Sequence, residues 1–188
     1  MSRRLRYALF GLVCAAQIAV PASMVVQHER TRSSGSLWRF QTAPVDPNDP
    51  FRGRYVRLNF AASRAQLPVT AGEGSYPSYG ERLYAELGRD DKGFAVLHRL
   101  HATRPTGIEY LDVFVADTDF DDKLKQVLVR VRLPFDRFYL QEAKASEVER
   151  TYAEVSRRAQ DNTYAEVRVL GGHAALVSLV LDGQPVSR

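Results

Sequence analysis

Residues 7–26 form an uncharged and predominantly apolar run near the N-terminus. An α-helix rises 1.5 Å per residue, so a helical run of this length extends about 30 Å, which matches the hydrocarbon core of a bilayer. Charged residues flank the run on both sides, with three arginines before it and Glu29 and Arg30 after it. The run therefore predicts a membrane-spanning segment within residues 1–26 and places the remainder of the chain at a membrane.

Two interpretations of this run stay open at the level of sequence. A secretory signal peptide has a basic start, a short apolar stretch and a small-residue exit, and cleavage after Ala22 would meet these requirements. Met24, Val25 and Val26 nevertheless continue the apolar run beyond that position. Pro21 is tolerated within a transmembrane helix. These features favour an uncleaved anchor over a cleaved signal.

The arginines around the run predict its orientation. Arg3, Arg4 and Arg6 precede the span, whereas Arg30 and Arg32 follow it together with Glu29. Loops on the cytoplasmic side carry the excess of Lys and Arg. The sequence therefore predicts a cytoplasmic N-terminus and an exported C-terminal part.

The distribution of charge and cysteine limits the classes of partner and chemistry. All 22 acidic residues and 23 of the 26 basic ones lie beyond position 26, so that part has a net charge of +1. A nucleic-acid-binding domain concentrates positive charge on its folded part, so we expect no nucleic acid as a partner. Cys14, the only cysteine, lies within the apolar run. The exported part therefore has neither disulfides nor thiol chemistry.

The chain beyond the span reads as a short connection and one domain. Residues 27–36 end in Ser33-Ser34-Gly35-Ser36 and predict a flexible tether. Residues 37–188 predict an exported β-rich domain, in which apolar Val56, Leu58 and Phe60 alternate with polar residues as in a half-buried strand. Further strands are predicted at 37–42, 82–87, 94–100, 108–115, 127–133, 163–170 and 174–181, with turns at 88–93, 171–172 and 182–183.

A single helix interrupts this pattern. Ser146 and Glu149 form a capping box, which predicts an amphipathic helix over residues 146–160. About eight strands and one helix predict a mainly β fold. We expect an antiparallel sandwich or a partly closed barrel, preceded by one N-terminal transmembrane helix.

The sequence offers few candidates for catalysis or metal binding. The acidic run 117–122 begins like a calcium loop, but Asp122 and Leu128 stand where an EF-hand needs Gly and Glu, so it predicts a solvated loop between two strands. His98 and His101 are three apart in a predicted strand and should face opposite sides. No nucleophile and base stand out, and we predict no catalytic residue, no metal site and no cofactor.

A cluster of arginines allows two interpretations. Arg52, Arg54 and Arg57 lie within six residues, and strand alternation puts Arg57 on the same face as Tyr55. Guanidinium groups suit phosphate and carboxylate, so an anionic ligand, headgroup or partner is conceivable. The alternative, which we favour, is an exposed strand face in a domain with many arginines.

Residues 49–60 read Asp-Pro-Phe-Arg-Gly-Arg-Tyr-Val-Arg-Leu-Asn-Phe and resemble the motif of bacterial membrane-anchored proteins named for the pattern GDYXXLXY. The chain matches this pattern at Gly53, Tyr55 and Leu58. It differs at Arg54, where the family has Asp, and at Phe60, where the family has Tyr. A second segment, residues 134–142, is similar to the family's aromatic-aromatic-x-x-Glu segment before a helix.

The resemblance implies a transmembrane segment in a bacterial inner membrane, a mostly β domain in the periplasm or outside the cell, and no established activity. We therefore expect a non-enzymatic binding or accessory module for another membrane component, such as a polytopic membrane protein. The alternative is a hydrolase or peptidase-like enzyme at the membrane surface. The candidate motif or binding residues are Arg52, Gly53, Arg54, Tyr55, Arg57, Leu58, Phe60, Tyr139 and Glu142, the last as a buried partner for an arginine.

Overall fold

The architecture is mainly β, as the sequence predicts, with one long N-terminal helix. The computed structural model describes residues 3–43, 55–68, 77–121, 126–139, 148, 150–152, 155 and 162–186. Within these residues the strands form two five-stranded antiparallel sheets and a two-stranded ribbon. The prediction of a sandwich or partly closed barrel preceded by one helix is confirmed.

Helix α1 (Arg3–Ser34) is long and apolar enough to cross a membrane, with a mean hydropathy of 2.1 in its most apolar window. No part of that window is buried against the rest of the molecule. Tyr7, Ile18 and Met24 are all strongly exposed. Pro21 lies inside α1 without ending it. The apolar surface of this helix therefore lacks a covering partner among the described residues.

The strands are β1 (Ser36–Ala43), β2 (Tyr55–Arg57), β3 (Asn59–Phe60), β4 (Arg64–Pro68), β5 (Arg82–Arg89), β6 (Ala95–His101), β7 (Tyr110–Asp121), β8 (Gln126–Arg132), β9 (Arg137–Tyr139), β10 (Tyr164–Leu170), β11 (His173–Leu181) and β12 (Gln184–Val186). The first sheet has the order β12-β11-β10-β1-β3 and the second β4-β8-β7-β5-β6, while β2 and β9 form the ribbon.

The core lies between the two sheets. The second sheet curls so that its outer strands β4 and β6 approach each other, which makes it a half-barrel. Leu111, Val113 and Val115 alternate along β7 with outward-facing residues and are fully buried. Phe40 and Val167 from the first sheet are buried equally completely in the same cluster. Period-2 alternation in both sheets thus builds a single apolar core.

The sheets are joined by polar contacts around Trp38, at the beginning of β1. The Trp38 Nε1 donates to the Glu109 carboxylate at 2.7 Å. The Arg89 guanidinium lies 4.3 Å from the centre of the Trp38 ring and donates to the Leu37 carbonyl at 3.0 Å. The Asp112 N–H donates to the Gly172 carbonyl at 2.9 Å and so links β7 to the turn that precedes β11. These contacts fix the two sheets to each other near the end of α1.

The helix continues through most of the segment for which composition predicts a flexible tether. Residues 27–34 belong to α1, and β1 begins at Ser36. Two hydroxyls bond back to carbonyls four residues earlier, Thr31 to Gln27 at 2.9 Å and Ser33 to Glu29 at 2.8 Å. Helix packing against β10 and β11 adds tertiary contacts that a composition argument does not include.

Gly35 is the point at which α1 meets the first sheet. A Cβ at this position would stand 2.5 Å from the Thr31 carbonyl oxygen, and 2.9 Å and 3.0 Å from the backbone oxygen and nitrogen of Val169. The Gly35 N–H donates to the Thr31 carbonyl, and its own carbonyl accepts from Arg168 at 2.9 Å. The absence of a side chain therefore lets the helix end lie directly against β10.

Two further sequence predictions concern the acidic residues 117–121 and the helix 146–160. Residues 117–121, expected in a solvated acidic loop, instead belong to β7, because cross-strand pairing with β8 extends through them to Asp121 and Gln126. Pairing with a neighbour thus overrides the low strand preference of aspartate. The predicted helix 146–160 falls mostly outside the described residues, and those described within it, 148, 150–152 and 155, are helical.

We predict that Gly35→Ala destabilises the full-length protein by about 1–3 kcal/mol, because the added methyl group must displace backbone atoms. The measurement is thermal unfolding in detergent, followed by circular dichroism. Gly11→Ala is the matched control, since nothing lies within 4 Å of a Cβ at that position. Equal melting temperatures for Gly35→Ala and Gly11→Ala would contradict the close contact described here.

Candidate functional site

The two segments that carry the family resemblance lie side by side although about eighty residues separate them in the sequence. Strand β2 pairs with β9 in antiparallel register, with Tyr55 opposite Tyr139 and Arg57 opposite Arg137. Tyr139 is 61% exposed, whereas Phe138 between these positions is fully buried. The ribbon thus has a face in the core and a face in solvent, and the predicted residue Tyr139 lies on the solvent face.

Leu58 is the residue at which the motif strand changes partner. Its N–H donates to the Asp136 carbonyl at 2.8 Å, directly after the ribbon. The next two residues form β3, which pairs with the end of β1 through Phe60 and Thr42. The predicted motif residues Leu58 and Phe60 are both buried. The motif therefore connects the ribbon to the first sheet.

Phe60 belongs to an aromatic cluster beneath this connection. Its ring centre lies 6.0 Å from that of Phe40 and 5.3 Å from that of Phe135, both in edge-to-face geometry. Phe40 and Phe135 lie 4.8 Å apart in the same cluster. Such contacts stabilise a core beyond the area that they bury. The position at which the motif has Tyr is thus filled here by a core phenylalanine.

The structure describes only some of the remaining predicted residues. Arg52, Gly53, Arg54 and Glu142 lie outside the described residues, and the expected pairing of Glu142 with an arginine stays a prediction. Tyr55 and Arg57 are described in their backbone alone. The structure therefore unites the backbone of the motif with β9 and places Leu58 and Phe60 in the core.

A groove opens where the motif, β8 and the turn before β9 converge. Its volume is about 410 Å³. Leu58, Phe60 and Leu133 form a buried apolar floor, whereas Asn59 and Tyr79 on its wall are exposed. The rest of the lining is largely polar or charged, so the groove suits a polar ligand. Leu58 and Phe60 of the motif thus take part in the groove through their packing.

Three arginines stand at the wall of this groove, namely Arg130, Arg132 and Arg137. Sequence analysis did not single them out. Arg130 and Arg132 alternate with buried Val129, Val131 and Leu133, which puts both guanidinium groups on the outer face of β8. Asp136 also lines the groove, and its carboxylate lies 3.7 Å from the Arg137 Nε. The alternation along β8 indicates from the sequence that Arg130 and Arg132 are exposed, but no pattern in the sequence indicates the groove beside them.

Tyr152 supports the back of the site from the helical segment. Its side chain is fully buried, and its hydroxyl donates to the Ala43 carbonyl at 3.3 Å. Burial raises the pKa of the Tyr152 phenol to about 12, against smaller opposing effects of hydrogen bonds with the Asn59 backbone and the Thr42 side chain. At neutral pH this hydroxyl is therefore a hydrogen-bond donor and not a base.

The histidines do not follow the simple alternation that the sequence suggests. A bulge between Glu86 and Leu87 changes the register of the β5–β6 pair at His98. The His98 ring consequently occupies the space above Gly88, on the face of β5 that also carries Glu86. The Glu86 carboxylate lies 3.0 Å from the His101 Nε2. The bulge, which sequence alternation does not reveal, thus puts both rings on one face.

Among the described residues no group of three His, Cys, Asp or Glu side chains is arranged to hold a metal ion. The hydroxyl of Ser63, which lines the groove, donates to the Phe60 carbonyl at 2.8 Å. Within the described part of the chain the groove therefore offers cations and hydrogen-bond donors. Such an arrangement can bind and orient an anionic group.

Comparison with known proteins identifies one family. The sequence model of a family described as GDYXXLXY protein matches residues 17–179, which is most of the chain. The match includes the motif, the ribbon and both five-stranded sheets up to β11. No curated protein and no solved structure matches the chain.

We predict that Phe60→Ala lowers the free energy of unfolding by about 3–5 kcal/mol, because it removes a buried ring from the aromatic cluster. Chemical denaturation in urea gives this value. Tyr79→Ala, which truncates an aromatic side chain that is 77% exposed, should change stability by about 0.5 kcal/mol or less. A larger loss for Tyr79→Ala than for Phe60→Ala would refute the structural role assigned to the motif.

We also predict an alkaline loss of stability that depends on Tyr152. Because the folded pKa lies above that of an unfolded tyrosine, the stabilisation is complete below about pH 10 and is lost as the pH rises towards 12. The expected size is about 2–3 kcal/mol. Denaturant midpoints from pH 8 to 12 measure it, and Tyr152→Phe is the control that cannot ionise. If both proteins lose stability identically, the phenol is not the responsible group.

Proposed function

The chain belongs to the GDYXXLXY protein family, and from this premise we propose that it is a membrane-anchored envelope protein whose β domain acts as a non-enzymatic binding or accessory module. In this proposal α1 is an uncleaved single span in a bacterial inner membrane. The N-terminus lies in the cytoplasm and the β domain in the periplasm or another extracytoplasmic space. The partner is another membrane component, in particular a polytopic membrane protein.

The observation that carries the proposal is the uncovered apolar surface of α1. No residue in its most apolar window is buried inside the molecule, and the large apolar side chains of Phe10, Ile18 and Met24 are exposed. Leaving so much apolar surface in water is unfavourable by about 25 cal/mol for each Å², whereas a bilayer accommodates it. The arginines at positions 3, 4 and 6 support the cytoplasmic orientation.

The connection between α1 and the sheets supports a role close to the membrane surface. Residues 27–34 continue the helix for about 12 Å beyond the apolar run. Gly35 then leads directly into β1, without a flexible linker. A domain held in this way stays within reach of the extracytoplasmic loops of a polytopic protein. The same rigidity limits its access to distant soluble partners.

The chemistry of the described side chains supports binding over hydrolysis. A hydrolase needs a nucleophile with an adjacent base. The Ser63 hydroxyl donates to a backbone carbonyl, and His101 on β6 is paired with Glu86. We therefore assign the domain to binding, with the exposed face of the ribbon as the surface that meets the membrane partner.

Orientation is tested by cysteine labelling in a Cys14→Ser background, which removes the native thiol. Ser78→Cys lies on an exposed loop of the domain, and Ser2→Cys marks the N-terminus. We expect a membrane-impermeant maleimide to label Ser78→Cys in intact spheroplasts and Ser2→Cys only after lysis. The protein should also stay in the membrane pellet after carbonate extraction. Release by carbonate, or the reverse labelling pattern, would overturn the proposed anchor or its orientation.

The binding role is tested by photo-crosslinking in intact cells. A photo-reactive residue in place of Tyr139 probes the exposed face of the ribbon, and one in place of Asp91 probes the exposed hairpin between β5 and β6 as a control. We expect an adduct with an integral membrane protein from position 139 alone. The same adducts from both positions, or reaction of the protein with a serine-hydrolase probe, would argue against a non-enzymatic binding module.

A further inference from the structure

We propose that the groove between β8 and the motif is a binding site for a small soluble molecule that carries an oxyanion, a phosphate or a carboxylate, held by Arg130 and Arg132. This inference deepens the binding role proposed above and rests on it. Its first support is the spacing of the two arginines. Two residues along a strand correspond to about 7 Å, a span across which two guanidinium groups can hold one oxyanion.

The second support is that neither arginine is neutralised by a described carboxylate. Asp117 lies directly opposite Arg130 in the β7–β8 register. Its carboxylate instead accepts from the N–H of Thr118 at 3.0 Å. Arg132 lies opposite Phe114, which brings no charge. Within the described part of the chain, the ion pairs do not include Arg130 or Arg132.

The third support is the charge and polarity of the groove as a whole. Three arginines and one aspartate line it, which is a formal charge of +2 in a domain whose charges otherwise nearly cancel. Arg130 and Arg132 are both exposed on the outer face of β8 and line the same groove. Charges of one sign that line a cleft raise the local concentration of ions of the opposite sign. The groove therefore favours an anion over a neutral ligand.

The volume of the groove points to a small molecule. About 410 Å³ lies at the lower end of the range of ligand pockets, about 300–1,000 Å³. The exposed Tyr79 ring and the apolar floor offer contacts to a compact carbon skeleton beside the anionic group. We therefore infer an organic anion of this size and not a bare inorganic ion as the natural ligand.

The position of the groove argues for a soluble source of the anion over a lipid headgroup. Ser36, at the α1 end of β1, pairs with Val169, and Thr42, near the other end, pairs with Phe60 in the groove. Six residues of strand separate these points by about 20 Å. The end of α1 lies against Arg168 and Val169 of β10 through Gly35, whereas the apolar window of the helix is not buried. The groove therefore lies at the end of the domain far from the apolar helix.

The test is calorimetric titration of the full-length protein in detergent with inorganic phosphate and with citrate, at constant ionic strength set with chloride. We expect saturable binding of at least one of the two anions to the wild type. Arg130→Gln with Arg132→Gln should weaken it by about tenfold or more, because charge-assisted contacts are lost. Arg130→Lys with Arg132→Lys should retain part of the affinity, since the charges remain but the fork geometry does not.

The matched control is Arg99→Gln with Arg104→Gln, which removes two exposed charges elsewhere on the domain and should leave the affinity unchanged. Equal affinities for the wild type and Arg130→Gln with Arg132→Gln, or no saturable binding of either anion, would overturn the site. Competition by phosphatidylglycerol vesicles but not by phosphatidylcholine vesicles would overturn the soluble source. Binding of a polyglutamate peptide in place of phosphate and citrate would overturn the assignment to a small molecule.

The outcome is separable from that of the proposed function. Carbonate extraction and the labelling of Ser78→Cys report anchoring and orientation alone, and neither depends on Arg130 or Arg132. A protein that remains anchored and oriented as proposed, yet binds no anion, would therefore remove the groove site without removing the membrane-anchored module.

Discussion

The contact between the end of α1 and β10 at Gly35 is the constraint from which the arrangement of the molecule follows. Backbone atoms of the helix end and of Val169 lie so close that only a residue without a side chain fits between them. The chain passes from helix to β1 with one intervening residue and hence without slack. The direction of β1 relative to the apolar helix is thereby set, and with it the position of every strand that pairs with β1 directly or through β10.

The motif serves this architecture at the opposite end of β1. It leaves the ribbon at Leu58 and joins the first sheet at Phe60, so the short strands β2 and β3 link the ribbon to the first sheet. Their buried side chains contribute to the core and also to the floor of the groove. A motif of this kind needs residues of defined size and hydrophobicity for packing alone. The exposed arginines of the groove come from β8 and β9.

The arginines show why net charge is a poor guide to local function. Beyond position 26 the 23 basic and 22 acidic residues nearly balance. The fold nevertheless distributes the charges unevenly. Asp112 pairs with Arg82 and Glu166 with Arg39, while Arg130 and Arg132 lie together beside the groove. Local fields depend on which charges are paired and which face a cleft. A nearly neutral domain can in this way carry a distinctly positive site.

The sequence by itself determined the elements whose signals are local. The apolar run, the alternation that buries Leu58 and Phe60, and the turn composition at 171–172 and 182–183 each depend on neighbouring residues, and each agrees with the structure. The turn predicted at 88–93 is also present, but β5 extends through Arg89 and the turn begins after it. Tertiary contacts decided the rest. Docking on β10 and β11 kept residues 27–34 helical, and pairing with β8 drew the acidic residues 117–121 into a strand. The groove joins residues about seventy positions apart, Phe60 and Arg132 among them, and a pattern with a period of two or four residues contains no information about such a distance.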